Sequence, residues 1–155
     1  MTKHMAKQAL LLSIRQRFAK LIFAGTKVVE LRRVHPKIGP GDLVFVYVPA
    51  PVMAVQGAFE VEQIVADSPG SIWCRFGAQT GLTKVEFDAY YKDKKTACAI
   101  TIKRCWKLKK PVRLEELKKD SDGFRPPQSY HYKCPDAFSR SIGFRQPKKP
   151  RPVVE

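Results

Sequence analysis

The spacing of apolar residues changes period several times along this chain, and each change marks an element. Gln8 to Ile14 is a compact Leu-rich run, which predicts a buried strand. From Arg15 to Ala24 the spacing turns helical, with Phe18, Leu21 and Ile22 on one face; Ser13 is placed to cap this helix and Gly25 to end it. Lys27 to Arg33 (Lys-Val-Val-Glu-Leu-Arg-Arg) predicts a strand in which β-branched residues are interspersed with charge. The Pro- and Gly-rich stretch from His35 to Asp42 is loop and turn. Leu43 to Val48 is a further apolar strand, closed by Pro49-Ala50-Pro51. Met53 to Val65 alternates through Val55, Gly57, Phe59 and Val61, with Gly57 marking a bulge or a close backbone approach.

From Ser68 the helical period returns. Ser68-Pro69 is a capping pair ahead of Ile72, Trp73 and Phe76, with the segment running to Gly81. Thr83, with Glu86 three residues on, opens a second short helix to Tyr91. Thr96 to Trp106 returns to strand, with Ala97, Ala99, Thr101 and Lys103 on one face and Cys98, Ile100, Ile102 and Arg104 on the other. Trp73 and Trp106 are assigned to core. Leu114 to Lys119 makes one or two helical turns, and Phe124 to Tyr132 is a loop entering a closing strand. Beyond Gly143 the composition, dense in Pro and cations, offers no apolar face. Strands with helices inserted between them, without regular β-α-β alternation, predict an α+β fold built on a small mixed β-barrel. The expected division is a basic N-terminal extension over 1–7, one domain over 8–144, and a disordered, basic, Pro-rich tail over 145–155.

Charge changes the picture most. Across 155 residues, 29 Lys and Arg face 14 Asp and Glu, a formal net charge of +15. A surplus of that size repels itself in the folded state, which favours a polyanionic partner: RNA first, DNA as the alternative. No apolar run approaches the roughly 18 residues of a membrane span, and Ala9 to Leu12 is too short for a signal peptide, so no membrane is expected and a cytoplasmic location is. Cys74, Cys98, Cys105 and Cys134 lack Cys-x-x-Cys spacing, and His131-x-x-Cys134 stands alone, so neither a metal site nor a cofactor is expected.

The candidate chemistry gathers in two segments. On the strand at Lys27 to Arg33, period two puts Glu30 and Arg32 on one face and Lys27, Val29, Leu31 and Arg33 on the other. Glu30 is able to accept from a base amino group or to orient Arg32, and the cations to meet phosphate. Gln128, Ser129 and Tyr130 follow two prolines that stiffen the backbone, presenting an amide, a hydroxyl and a ring suited to an unpaired base. Arg15, Arg17 and Tyr47 complete the candidate nucleic-acid contacts. Lys27 and Glu30 are the catalytic candidates if the protein is an enzyme.

Leu12-Ser13-Ile14, Phe18 to Ile22, the turn Gly25-Thr26-Lys27 and the strand ending Glu30-Leu31-Arg32 follow one another in an order that resembles the opening of an ASCH domain, a relative of the PUA domain. Gly41-Asp42-Leu43-Val44 and Val55 to Val61 resemble its next strands. Arg125-Pro126-Pro127-Gln128-Ser129-Tyr130 is similar to a subgroup described as predicted transcriptional regulators. The resemblance implies a PUA-like barrel that reads RNA, with two enzymatic alternatives, a ribonuclease or an amidohydrolase on acetylated cytidine, and a partner-binding regulator as a third. For the amidohydrolase branch the resemblance implies a lysine, a threonine and a glutamate. Lys27 matches the lysine, Glu30 stands where the threonine would be, and Glu60 is the candidate for the glutamate.

Overall fold

The computed structural model describes residues 8–120 and 123–146. In chain order the elements are β1 (Ala9–Ser13), α1 (Gln16–Phe23), β2 (Val29–Arg32), β3 (Leu43–Val48), β4 (Ala54–Asp67), α2 (Pro69–Phe76), α3 (Lys84–Tyr90), β5 (Ala97–Arg113), α4 (Leu114–Asp120), β6 (Tyr130–Lys133) and α5 (Pro135–Ile142), with a short 3-10 turn at Gly77–Gln79. The strands form one sheet in the order β2-β5-β4-β3-β1-β6. The β1–β3 pair is parallel, and the other pairs are antiparallel. The sheet curls into a half-barrel, and a hydrogen bond from Arg32 on edge strand β2 to Ser129, just ahead of edge strand β6, spans its open seam.

Alternation along the strands sorts the apolar side chains into three cores. Inside the curl, Leu10, Leu12, Val44, Val46, Phe59 and Ile100 close on Ala19, Ile22 and Phe23 of α1, which plugs the half-barrel. Outside it, Leu11, Phe45, Ala58 and Trp106 are covered by Leu117 of α4 and by Phe138 and Ile142 of α5. A second outer layer sets Val29, Leu31, Ala97 and Ala99 under Ile72 and Phe76 of α2 and Phe87 of α3. Each fully buried Leu, Val, Ile or Phe among them contributes about 1.5–3 kcal/mol of transfer free energy.

The caps explain where the helices stop and start. After α1 the Thr26 N–H donates to Leu21 O at 2.9 Å and Gly25 N–H to Ile22 O at 3.0 Å, with Gly25 at φ 82°. This pair of bonds is the motif that favours glycine at C′. Thr83 and Glu86 form the expected capping box on α3. Ser13 does not cap α1: its hydroxyl donates to Pro127 O at 2.6 Å, and Arg15 holds the N-cap position.

Gly57 is both a bulge neighbour and a close approach. The β4–β5 register shifts between Val55 and Gly57, and a Cβ at Gly57 would lie 2.2 Å from Trp106 O and 2.7 Å from the Phe23 ring. The faces expected for β5 hold through Ile102. Beyond a further register shift opposite Glu60 and Val61 the phase changes, so that Cys105 points into the inner core and Trp106 into an outer one.

Two further features depart from the sequence pattern. The helix α5 was not foreseen, since only Phe138 and Ile142 mark its buried face apart from its opening Pro135; Gly143, at φ 69°, ends it. Phe144, in the stretch expected to have no core contact, is buried against Phe45 and Trp106, with ring centroids 5.7 and 5.9 Å apart. The extension over 1–7 and the tail from residue 147 lie outside the described residues.

Candidate nucleotide cleft at the barrel seam

Where β2 meets the open side of the half-barrel, the inner face turns from apolar to charged. Glu30 pairs in register with Ile100 and Arg32 with Cys98, both inner-core residues, so their side chains enter the mouth of the barrel. The resulting cleft has a volume of ≈ 330 Å³ and is lined by Arg15, Phe18, Lys27, Glu30, Arg32 and Tyr90, among others. That volume is at the lower end of small-ligand sites, about the size for one nucleotide's base and sugar.

Lys27 is the buried anchor of this cluster, with a side chain only 1% exposed. Its Nζ donates to Val29 O at 2.7 Å and Thr80 O at 2.5 Å, and stands 3.4 Å from Glu30 Oε1. Two of its N–H groups thus bond backbone carbonyls, and the Glu30 carboxylate stands beside them as an ion pair. Burial pushes the Lys27 ammonium below the usual lysine range, and the neighbouring Glu30 carboxylate opposes that shift. The other Glu30 oxygen meets Arg32 Nη1 at 3.3 Å, while Arg32 Nη2 donates to Ser129 Oγ at 2.5 Å. A continuous polar chain, Lys27–Glu30–Arg32–Ser129, thus runs from the floor of the cleft across the seam.

The expected faces need one correction here. The strand begins at Val29, so Lys27 lies ahead of it in the turn after α1, and strand alternation does not set its direction. Its ammonium joins Glu30 on the cleft side, while Val29 and Leu31 enter an outer core as expected.

The remaining candidates divide. Arg15 lines the cleft and is exposed. Arg33 lines it too, with Nε donating to Tyr90 O at 2.8 Å and the guanidinium 4.2 Å from the Tyr90 ring centroid. Arg17 is at the rim, where both its Nη atoms bond the carboxylate of Glu86. That pairing, with the Thr83 N–H, pulls the Glu86 carboxyl down to about 2. Ser129 joins the cleft through Arg32, and Gln128 is exposed beside it. Tyr130 packs against the inner core and sits 5.6 Å from Tyr132, centroid to centroid.

Tyr47 is not brought to the cleft. Its side chain alternates to the outer face of β3 and lies 1% exposed in the core beneath α4 and α5. Glu60 is also elsewhere: it pairs with Arg104 at 3.3 Å and Lys103 at 3.9 Å and does not line the cleft. The carbonyl of Thr80 and the ring of Tyr90 were missed, because a backbone acceptor leaves no sequence signal and Tyr90 reads as an ordinary helix-end aromatic.

The curled sheet, the plugging helix and the polar seam define a PUA-like module. The ASCH domain pattern matches residues 12–118, and the chain belongs to the ASCH domain family. It is 30% identical over 118 residues to an ASCH domain-containing ribonuclease of Zymomonas mobilis, covering 76% of this chain and 79% of that one. The crystal structure of ASCH from Zymomonas mobilis superposes with a TM-score of 0.80 at 27% identity, over 85% of this chain and 92% of that one. A shorter stretch, 84 residues at 36% identity, matches the large ribosomal subunit protein uL22 of Ureaplasma parvum, covering 53% of this chain and 27% of that protein.

Proposed function

We propose that this ASCH protein is a ribonuclease that takes a nucleotide of single-stranded RNA into the seam cleft. The observation that carries the reading is the cluster at the cleft floor, with a lysine 3.4 Å and an arginine 3.3 Å from the two oxygens of one carboxylate. A carboxylate flanked by two cations at a cleft floor supplies the groups that acid–base and electrostatic catalysis use. In metal-independent cleavage the 2′-oxygen bonds to phosphorus as the P–O5′ bond breaks and the 5′-oxygen takes a proton from water; the step needs a group to take the 2′-hydroxyl proton and a cation to meet the charge growing on the non-bridging oxygens. Glu30 suits the first task and Arg32 the second, while Lys27 holds Glu30. The likeness to an ASCH ribonuclease supports the same substrate class.

One observation favours a second reading, a module that binds RNA without cutting it. Lys27 is already bonded to two carbonyls and ion-paired with Glu30, and its side chain is 1% exposed, which leaves little of it for substrate. The amidohydrolase alternative lacks its third residue, since Glu60 is engaged outside the cleft. A transcription-linked role stays with the sequence resemblance alone. No described helix is long and apolar enough to cross a membrane.

The test is incubation of wild type, Lys27→Ala and Glu30→Gln with end-labelled single-stranded RNA, followed on denaturing gels, with folding checked by circular dichroism. Cleavage by wild type and loss of at least about 100-fold in Glu30→Gln support the enzyme. RNA that is bound but left intact turns the reading to the binding module.

A further inference from the structure

A second hollow, ≈ 840 Å³, is lined on α1 by Phe23, the last residue of the helix, whereas the cleft is lined by Phe18. The hollow's floor includes Phe23, Trp106 and Phe144, all buried. Its rim carries four exposed cations, Lys107, Lys109 and Lys110 from β5 and Arg145 from the segment after α5. No Asp or Glu lines it. None of the four cations is ion-paired among the described residues, whereas Lys103 and Arg104, earlier on the same strand, share Glu60. The indole Nε1 of Trp106 is a buried donor without an acceptor among the described residues.

Lysines on an unpaired strand edge also deter strand-to-strand aggregation. That role does not account for Arg145, which comes from a different element, or for the apolar floor between the cations. Unneutralised positive charge around a concavity concentrates the field there and draws in polyanions.

We propose that this groove is a second polynucleotide subsite, in which the backbone of single-stranded RNA lies along Lys107, Lys109, Lys110 and Arg145 after leaving the cleft. The inference rests on the reading of the cleft as an RNA site. Phe18 lines the cleft and Phe23 the groove, and along α1 they are separated by about 7.5 Å of helical rise. One strand a few nucleotides long spans both, with exposed Lys20 between them. Basic tracks of this kind take roughly 4–16 nucleotides.

The test compares the full chain with the triple variant Lys107→Gln, Lys109→Gln, Lys110→Gln, and separately with Arg145→Gln. The probes are a single-stranded oligouridylate of about 12 nucleotides and a dinucleotide that reaches only the cleft. At about 0.7 log units per phosphate contact, the triple variant should lose about 2 from the salt slope for the oligonucleotide and Arg145→Gln about 0.7. Handling of the dinucleotide should stay at wild-type level. Equal loss with oligodeoxythymidylate also supports the inference, since the contacts are to phosphate. Wild-type affinity and slope in both variants would overturn the groove and leave the cleft reading standing. Failure of the wild type to bind or cleave any RNA overturns both.

Discussion

Uncoupling Lys27 from Glu30 is the sharpest test of how the cleft is built. Both side chains are at least nine-tenths buried, at 1% and 9% exposure. Breaking a buried ion pair by removing one partner costs about 3–5 kcal/mol, because the survivor is left charged and desolvated. Glu30→Leu strands the Lys27 ammonium, which keeps only the Val29 and Thr80 carbonyls, and should fall in that range. Lys27→Met leaves Glu30 with Arg32 at 3.3 Å and should cost less, about 2–3 kcal/mol. With both changes two apolar side chains replace two charges, but Arg32 still loses Glu30, so the double variant should cost about as much as Glu30→Leu alone rather than the sum of the singles, a coupling of about 2–3 kcal/mol. Urea unfolding followed by circular dichroism reads all four corners of the cycle. For a chain of this size each kcal/mol corresponds to about 2–4 °C, so Glu30→Leu should also melt roughly 6–20 °C lower. Additive costs, or single variants within about 0.5 kcal/mol of wild type, would falsify the idea that the pair organises the cleft.

Gly57→Ala should destabilise by at least about 1–3 kcal/mol in the same assay, since its Cβ would meet the Trp106 carbonyl at 2.2 Å and backbone has to move; wild-type stability would refute the close approach at the β4 bulge. Ser129→Ala removes the acceptor of the seam hydrogen bond and should cost under about 1.5 kcal/mol of stability while lowering RNA affinity or cleavage more than Gln128→Ala does. At the rim, Arg17 holds Glu86 at about 2 against an ordinary value of 4.5, so its stabilising contribution is present above 4.5 and lost as pH falls from there toward 2. Carboxyl titration by NMR should find the Glu86 midpoint displaced upward in Arg17→Ala, and an unmoved midpoint refutes the pairing.

Elements whose signal is local were legible in the sequence. The capping box at Thr83 and Glu86 and the Gly25 C′ turn depend on neighbours three to six residues apart, so composition and spacing are enough to reveal them. The alternation in β2 likewise put Glu30 and Arg32 on one face. Tertiary structure decided the rest. Lys27 sits ahead of the strand, so its direction follows from carbonyls as distant in sequence as Thr80 rather than from any period. Tyr47 and Glu60 lie on true strands, but only the curl of the sheet and its register shifts determine which strand faces reach the seam. The helix α5 has two widely spaced apolar side chains beyond its opening proline and forms because Phe45 and its neighbours on the sheet need covering. The bond from Arg32 to Ser129 joins positions 97 residues apart, and a closure of that kind exists only once the half-barrel has brought its two edges together.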